Sequence, residues 1–235
     1  MGTVFTIDIR DPGDWTDAIG EAVTWLHHVD AVFSTFKPGS DIVRMQRGEL
    51  RVEDADTSVG PVLDLCADVQ LATSGAFTAM SSGRIDPTGL VKGWAIEQAS
   101  RLLLAHGARN HAINGGGDMQ LAGEADSGRP WGVGIADPRH RGAVLTVVSG
   151  RDLAVATSGS AERGHHIIDP FTGRAATRVV SATVIGPSLT FADAYATAAV
   201  VLADSAIRWI DSVADYEALL VFEDGTVRQS RDWPA

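Results

Sequence analysis

Sulfur and aromatic chemistry are thin in this chain: among 235 residues there is one cysteine, and Phe, Trp and Tyr together make up 6%. A lone Cys66 excludes a disulfide framework and a thiolate metal cage within one chain. Its place in the apolar run 62-VLDLCADVQLA-72 reads as a buried structural thiol. Basic residues are scarce too. Nineteen Lys and Arg stand against 30 Asp and Glu, a formal charge of −11, and a surface of that sign repels phosphate backbones and anionic headgroups. Nucleic acid and direct membrane insertion therefore drop out as partners, and an anionic ligand would need a metal ion or a local basic group to cancel the field. No apolar run reaches the roughly 18 residues of a membrane span, and the seven histidines show no HExxH-like zinc spacing. The N-terminal 1-MGTVFTIDIR-10 has no basic segment followed by a long apolar core.

What is present is apolar residues, 45% of the chain against 21% charged, enough for a sizeable core. Residues 3–9 alternate as a strand. In 14–34, Trp15, Ile19, Val23, Leu26 and Val29 recur at helical spacing. Ser40 or Asp41 is placed to cap a short helix over 42–47. Further helices fit 59–75 and the run from Val91 through Ala95, Ala99, Leu102 and Leu103 to a stop at Gly107. Strands fit 109–114, 118–123, 131–136, 143–149, 152–158 and 179–186, then a helix 192–211 and a last strand 217–224. Helices cluster early and strands late, which predicts an α+β fold, helices on mixed or antiparallel sheets, as one unit over 1–235.

Four stretches could carry chemistry. In 86-DPTGLVKGWA-95, Gly89 lets backbone approach a ligand, the helix start offers N–H groups and a positive dipole end, and Lys92 adds a full charge. It is neither a Walker A loop nor a Rossmann fingerprint, and on local sequence alone a plain loop-to-helix junction with a surface lysine is the better reading. In 192-ADAYAT-197, Asp193 and Thr197 stand at i and i+4 near a helix start, a carboxylate and a hydroxyl on one face for a hard cation. The plainer reading makes Asp193 a helix cap. In 164-GHHIIDPFTG-173, a strand-like HHII enters a rigid turn and could hold a histidine as general base. The stretches 114-NGGGD-118 and 156-ATSGS-160 read as turns, open to a ligand but also ordinary hairpin chemistry.

Taken together and in order, these pieces resemble the ApbE-like family, the FAD:protein FMN transferases. The likeness runs through MGT at Met1 to Thr3, STF and SD at Ser34 to Asp41, SGAF at Ser74 to Phe77, DPTGLVKGWA, NGGGD, W-GVGI-DP at Trp131 to Pro138, ATSG, HIIDPFTG, and AD...AT at Ala192 to Thr197. The resemblance implies an enzyme that uses magnesium to move the FMN half of FAD onto a Ser or Thr hydroxyl of a target protein carrying an (S/T)GA(S/T)-like motif, releasing AMP. It implies an FAD cleft between two halves of the fold. By position it implies Asp86 and Lys92 at the flavin nucleotide, with Met1, Phe36, Ala76, Phe77, Thr78 and Ile168 among the FAD contacts. It further implies Gly89, Asp193, Ala196 and Thr197 at the metal, and His166 and Lys92 in the transfer.

The chain departs from the family where GAFD becomes 75-GAFT-78, where Gln46 replaces the usual Asn, and where Phe36 replaces an aromatic with a polar edge. Two other readings stay open: a metal-dependent FAD pyrophosphatase with water as nucleophile, and a flavin-binding or storage module without turnover. Self-flavinylation is not expected, because the acceptor-like SGAF ends in Phe77. Family members acting outside the cytoplasm usually carry a signal ahead of MGT, so the expectation is a cytoplasmic protein, with an upstream export signal left open.

Overall fold

A computed structural model of the chain describes residues 2–81, 83–160, 164 and 166–234. The order along the chain is β1 (Phe5–Ile9), α1 (Thr16–Phe33), α2 (Asp41–Gln46), α3 (Val59–Ala72), β2 (Met80–Ser81), β3 (Arg84–Ile85), α4 (Thr88–Ala105), β4 (His111–Gly115) and β5 (Asp118–Ala122). It continues with β6 (Trp131–Ala136), β7 (Val144–Gly150), β8 (Ala154–Gly159), β9 (Val179–Gly186), α5 (Leu189–Leu202), α6 (Ala206–Ile210), β10 (Glu217–Phe222) and β11 (Val227–Gln229). Seven strands form one sheet in the order β1-β4-β5-β8-β9-β10-β11, and every neighbouring pair is antiparallel.

Burial follows from what covers each strand. Both faces of the sheet are covered at β9, and all but one of its residues are buried, as a doubly covered strand requires. One face carries α4 and α5 and the main core, in which Leu90, Ile96, Leu103, Val184, Leu189 and Leu220 are wholly buried. The other carries the β6–β7 hairpin, whose Trp131, Val133, Ile135 and Val148 pack on Leu121, Val155, Ile185 and Leu219. The hairpin covers with one face only, and β6 accordingly alternates buried and exposed at every step.

Three expectations need correction. In α1 the buried face is Ala18, Ala22, Leu26, Val29 and Phe33, while Val23 lies outside at 39% exposure; small alanines, invisible to a count of large apolar residues, let this helix settle close to its neighbours. The single helix expected over 192–211 starts three residues earlier and breaks at Ala203, whose φ of 46° ends α5. Residues 189–210 have the length and hydropathy of a membrane span, but half of that window is buried within the fold, as in a core helix. The HHII stretch forms no strand among the described residues. One isolated bridge, Ile168 to Ala175, closes a turn in which Asp169 accepts from Phe171 N–H and Thr172 Oγ.

Two short pieces escape a sequence reading, the β2–β3 hairpin and β11, because strands of two or three residues show no period. Ser40 does cap α2: its Oγ accepts from Val43 N–H at 3.2 Å.

Candidate active site

The site is built on a seam between α4 and α5, and glycine sets its width. A Cβ at Gly93 would sit 2.3 Å from the Leu189 carbonyl oxygen and 2.8 Å from Asp193 Cβ, so only glycine permits this approach. One turn earlier, a Cβ at Gly89 would lie 3.5 Å from Thr197 Oγ1 and 3.2 Å from the Phe77 ring. Gly89 therefore faces Thr197 while Gly93 faces Leu189 and Asp193, an antiparallel match of two i, i+4 pairs.

Neighbouring side chains fix the start of α5. Glu97 of α4, buried, accepts from Ser188 Oγ at 2.6 Å, Thr190 N–H at 3.0 Å and Thr190 Oγ1 at 2.7 Å, and Gln120 accepts from Leu189 N–H at 3.2 Å. Orphan donors of the first turn are thus satisfied from α4 and β5. Burial alone would raise the Glu97 carboxyl pKa; the bonds from Ser188 and Thr190, with the Arg101 charge, outweigh it and hold it below the usual value.

Three charges meet inside this frame. Lys92 Nζ forms an ion pair with Asp118 Oδ2 and lies 3.6 Å from Asp193 Oδ1. Asp193 Oδ2 accepts from Gly93 N–H at 2.9 Å, and Asp118 Oδ1 accepts from Thr157 N–H at 3.0 Å. Asp118 and Asp193 are 0% and 2% exposed. Burial, with the Asp118 charge added, pushes the Asp193 carboxyl above the ordinary carboxylate range against the pull of Lys92. With both carboxyls ionised, two negative charges and one ammonium leave a negative balance in a desolvated place, which favours a further cation. Beside it, Ser158 Oγ and Thr197 Oγ1 are 3.1 Å apart.

Every donor here is oxygen, and no group of three or more His, Cys, Asp or Glu side chains gathers among the described residues. Such a set suits a small hard cation held by one carboxylate, a hydroxyl and backbone carbonyls. Asp193, Thr197 and Gly89 are thus brought to one seam, a donor set whose chemistry suits such a cation, while Ala196 is buried in the same helix as Asp193. Asp193 is the fifth residue of α5 rather than its cap, which removes the plainer reading of that residue. The ammonium of Lys92 is turned inward to two carboxylates.

Asp86 accepts from Thr88 N–H at 3.1 Å and Thr88 Oγ1 at 2.6 Å, steadying the start of α4. Ala76 and Phe77 are buried. Thr78 Oγ1 accepts from Met80 N–H at 3.1 Å. The 164–176 turn leans on the same region, because Phe171 lies over Gly75, 3.6 Å from where a Cβ would stand. His166 is exposed in that turn, with Nδ1 2.9 Å from the Gly164 carbonyl oxygen. A carbonyl only accepts, so Nδ1 carries the proton and Nε2 of the neutral ring is left as an acceptor. Ile168 is 42% and Phe36 92% exposed. Met1 lies outside the described residues.

Sequence reasoning passed over Asp118, Ser158 and Gly93. Asp118 closes the NGGGD stretch, whose glycines Gly116 and Gly117 take positive φ in the β4–β5 turn; the turn hid the carboxylate behind it. Ser158 belongs to β8 itself, not to a turn following a strand.

The family model described as "ApbE family" matches residues 78–220, well over half of the chain. The FAD:protein FMN transferase of Treponema pallidum is 35% identical over 181 residues, 69% of this chain and 48% of that protein. That of Rhodobacter capsulatus is 29% identical over 228 residues, 93% and 41% respectively. This chain therefore spans less than half the length of these curated relatives. Among solved structures, the flavin transferase ApbE from Vibrio cholerae superposes with a TM-score of 0.84 at 23% identity, covering 98% of this chain and 94% of that one. The ApbE protein from Thermotoga maritima gives 0.85 at 22%, covering 98% and 94%. These likenesses carry the fold, and by the family model that matches it from Thr78 to Leu220 the chain belongs to the ApbE family.

Proposed function

We propose that this protein moves the FMN half of FAD onto a Ser or Thr hydroxyl of a target protein, releasing AMP, with magnesium at the α4–α5 seam. The observation that carries the reading is the meeting of Gly89 with Thr197 and of Gly93 with Asp193, beside a Lys92 ammonium. The name the curated relatives carry, FAD:protein FMN transferase, supports the same chemistry.

In this reading the start of α4, steadied by Asp86, turns its positive end and first N–H groups to the diphosphate. Asp193, Thr197 and the backbone carbonyls of Gly89 and Ala196 hold the cation. Bound there, magnesium would polarise the diphosphate and offset the charge of the departing AMP. Lys92 adds to the same field. His166 Nε2 takes the proton of the incoming hydroxyl, whose oxygen bonds to the FMN phosphorus as the bond from that phosphorus to the AMP oxygen breaks. Phe36, Ile168 and the stretch from Ala76 to Thr78 line the flavin end. The acceptor is a protein with an (S/T)GA(S/T)-like stretch.

The test is to incubate the chain with FAD, magnesium and a peptide carrying SGAT, following AMP release and peptide mass. A peptide heavier by one FMN, with the gain lost on chelation, is the expected result. AMP and free FMN with unmodified peptide would make it a pyrophosphatase, and bound but intact FAD a storage module; either overturns the transferase reading.

A further inference from the structure

We propose that Asp118 is a positioning residue that holds the Lys92 ammonium away from Asp193, keeping Asp193 Oδ1 open to the cation; this rests on the cation site of the reading above. Asp193 Oδ2 is already engaged by Gly93 N–H, which leaves Oδ1 as the oxygen for a metal ion. The ammonium nearest to that oxygen is Lys92, 3.6 Å away. An ammonium and a divalent cation cannot share one carboxylate oxygen at close range without repulsion, so something must draw the lysine off.

Asp118 is built to do so. It is fully buried, its Oδ1 is pinned by the Thr157 backbone N–H, and its Oδ2 pairs with Lys92. The Lys92 ammonium is the cation set against that second oxygen, so the Asp118 charge acts on the lysine. The lysine consequently sits nearer Asp118 than Asp193. With the Asp118 charge removed, Asp193 draws the ammonium onto Oδ1 and the metal ion must displace it. The competing explanation is that Asp118 merely ties β5 to β8 through Thr157. Asparagine separates the two, because its side-chain oxygen keeps the Thr157 bond while the charge is lost.

The experiment titrates Mn2+ alone, without FAD, into the full chain as wild type, Asp118→Asn, Lys92→Met, the double variant and Asp193→Asn, reading affinity by electron paramagnetic resonance and folding by thermal melting. Wild type binds one ion that Asp193→Asn abolishes. Asp118→Asn weakens binding about tenfold or more, the loss expected of an outer partner of a metal site. Lys92→Met binds at least as tightly as wild type, and adding it to Asp118→Asn restores affinity. Wild-type affinity in Asp118→Asn overturns the inference, and so does a double variant as weak as Asp118→Asn, since a structural role is not rescued by removing the lysine. Should Asp118→Asn melt below the assay temperature, Lys92→Met alone decides, and weaker binding than wild type overturns the proposal. Failure of wild type to bind Mn2+, or unchanged binding by Asp193→Asn, instead sinks the cation reading itself and the inference with it.

Discussion

The seam between α4 and α5 and the solvent-facing rim of the molecule at Phe36, Ile168 and Phe171 are made of opposite materials. In the seam, Asp118, Asp193 and Glu97 are charged yet almost wholly buried, each held by backbone or hydroxyl donors. On the rim, Phe36, Ile168 and Phe171 are apolar yet 92%, 42% and 64% exposed. Each region inverts the rule that apolar groups go inside and charges outside, and such inversions mark places where stability has been set aside for a ligand. The seam fixes charge where water cannot screen it. The rim keeps adaptable apolar surface in solvent, where a flat ring or another protein can cover it.

Substitutions can break this contrast. The largest effect on stability is expected at Gly93→Ala, where the added methyl would meet the Leu189 carbonyl oxygen at 2.3 Å. Forcing the helices apart costs about 3 kcal/mol by overpacking, and denaturant melts measure it. Asp193→Asn should separate the two currencies of the seam: transfer activity falls by more than about 100-fold, beyond the loss of an outer-shell partner. Its melting temperature stays at or above wild type, since a neutral amide still accepts from Gly93 N–H and removes a buried charge.

A smaller effect concerns His111, wholly buried between Ser100 Oγ at 2.7 Å and the Ala108 carbonyl oxygen at 2.9 Å. Burial holds its pKa below 6.5, against the partial pull of the Ala108 bond and Asp11. With the folded value depressed, the unfolded chain takes the proton first, so this contribution is full above the unfolded pKa and is lost as pH falls through the window below it. Between about pH 7 and pH 5 the melting temperature of His111→Gln in chelator should fall less steeply than that of wild type. Least of all, Phe36→Ala should leave stability within about 0.5 kcal/mol while raising the KM for FAD. A clear loss of stability there would make the exposed ring a structural element and erase the contrast.

Much of the fold was legible because its elements are periodic, as β6 illustrates, and because Gly107 ends the helical pattern of α4 where expected. The break after α5 was not, since the run from Ala192 to Asp211 contains no Gly or Pro and Ala203 takes a positive φ that only tertiary packing imposes. Within the site, Asp193, Thr197 and Gly89 were legible as spacings. What spacing cannot convey is direction: only the fold shows the Lys92 ammonium lying against Asp118 and Asp193. Asp118 went unread because its partner lies on another element, and a sequence shows partners only when they share a period.

The hydrogen bond from Gly93 to Asp193 joins residues 100 positions apart, and β4, β5, β8 and β9 all lie within the loop it closes. Closing so long a loop is entropically costly until the intervening strands have paired. A nascent chain still lacking α5 therefore has no seam and no oxygen cage. The seam is complete only when the last long helix docks, so a cation bound there would be a readout of finished folding.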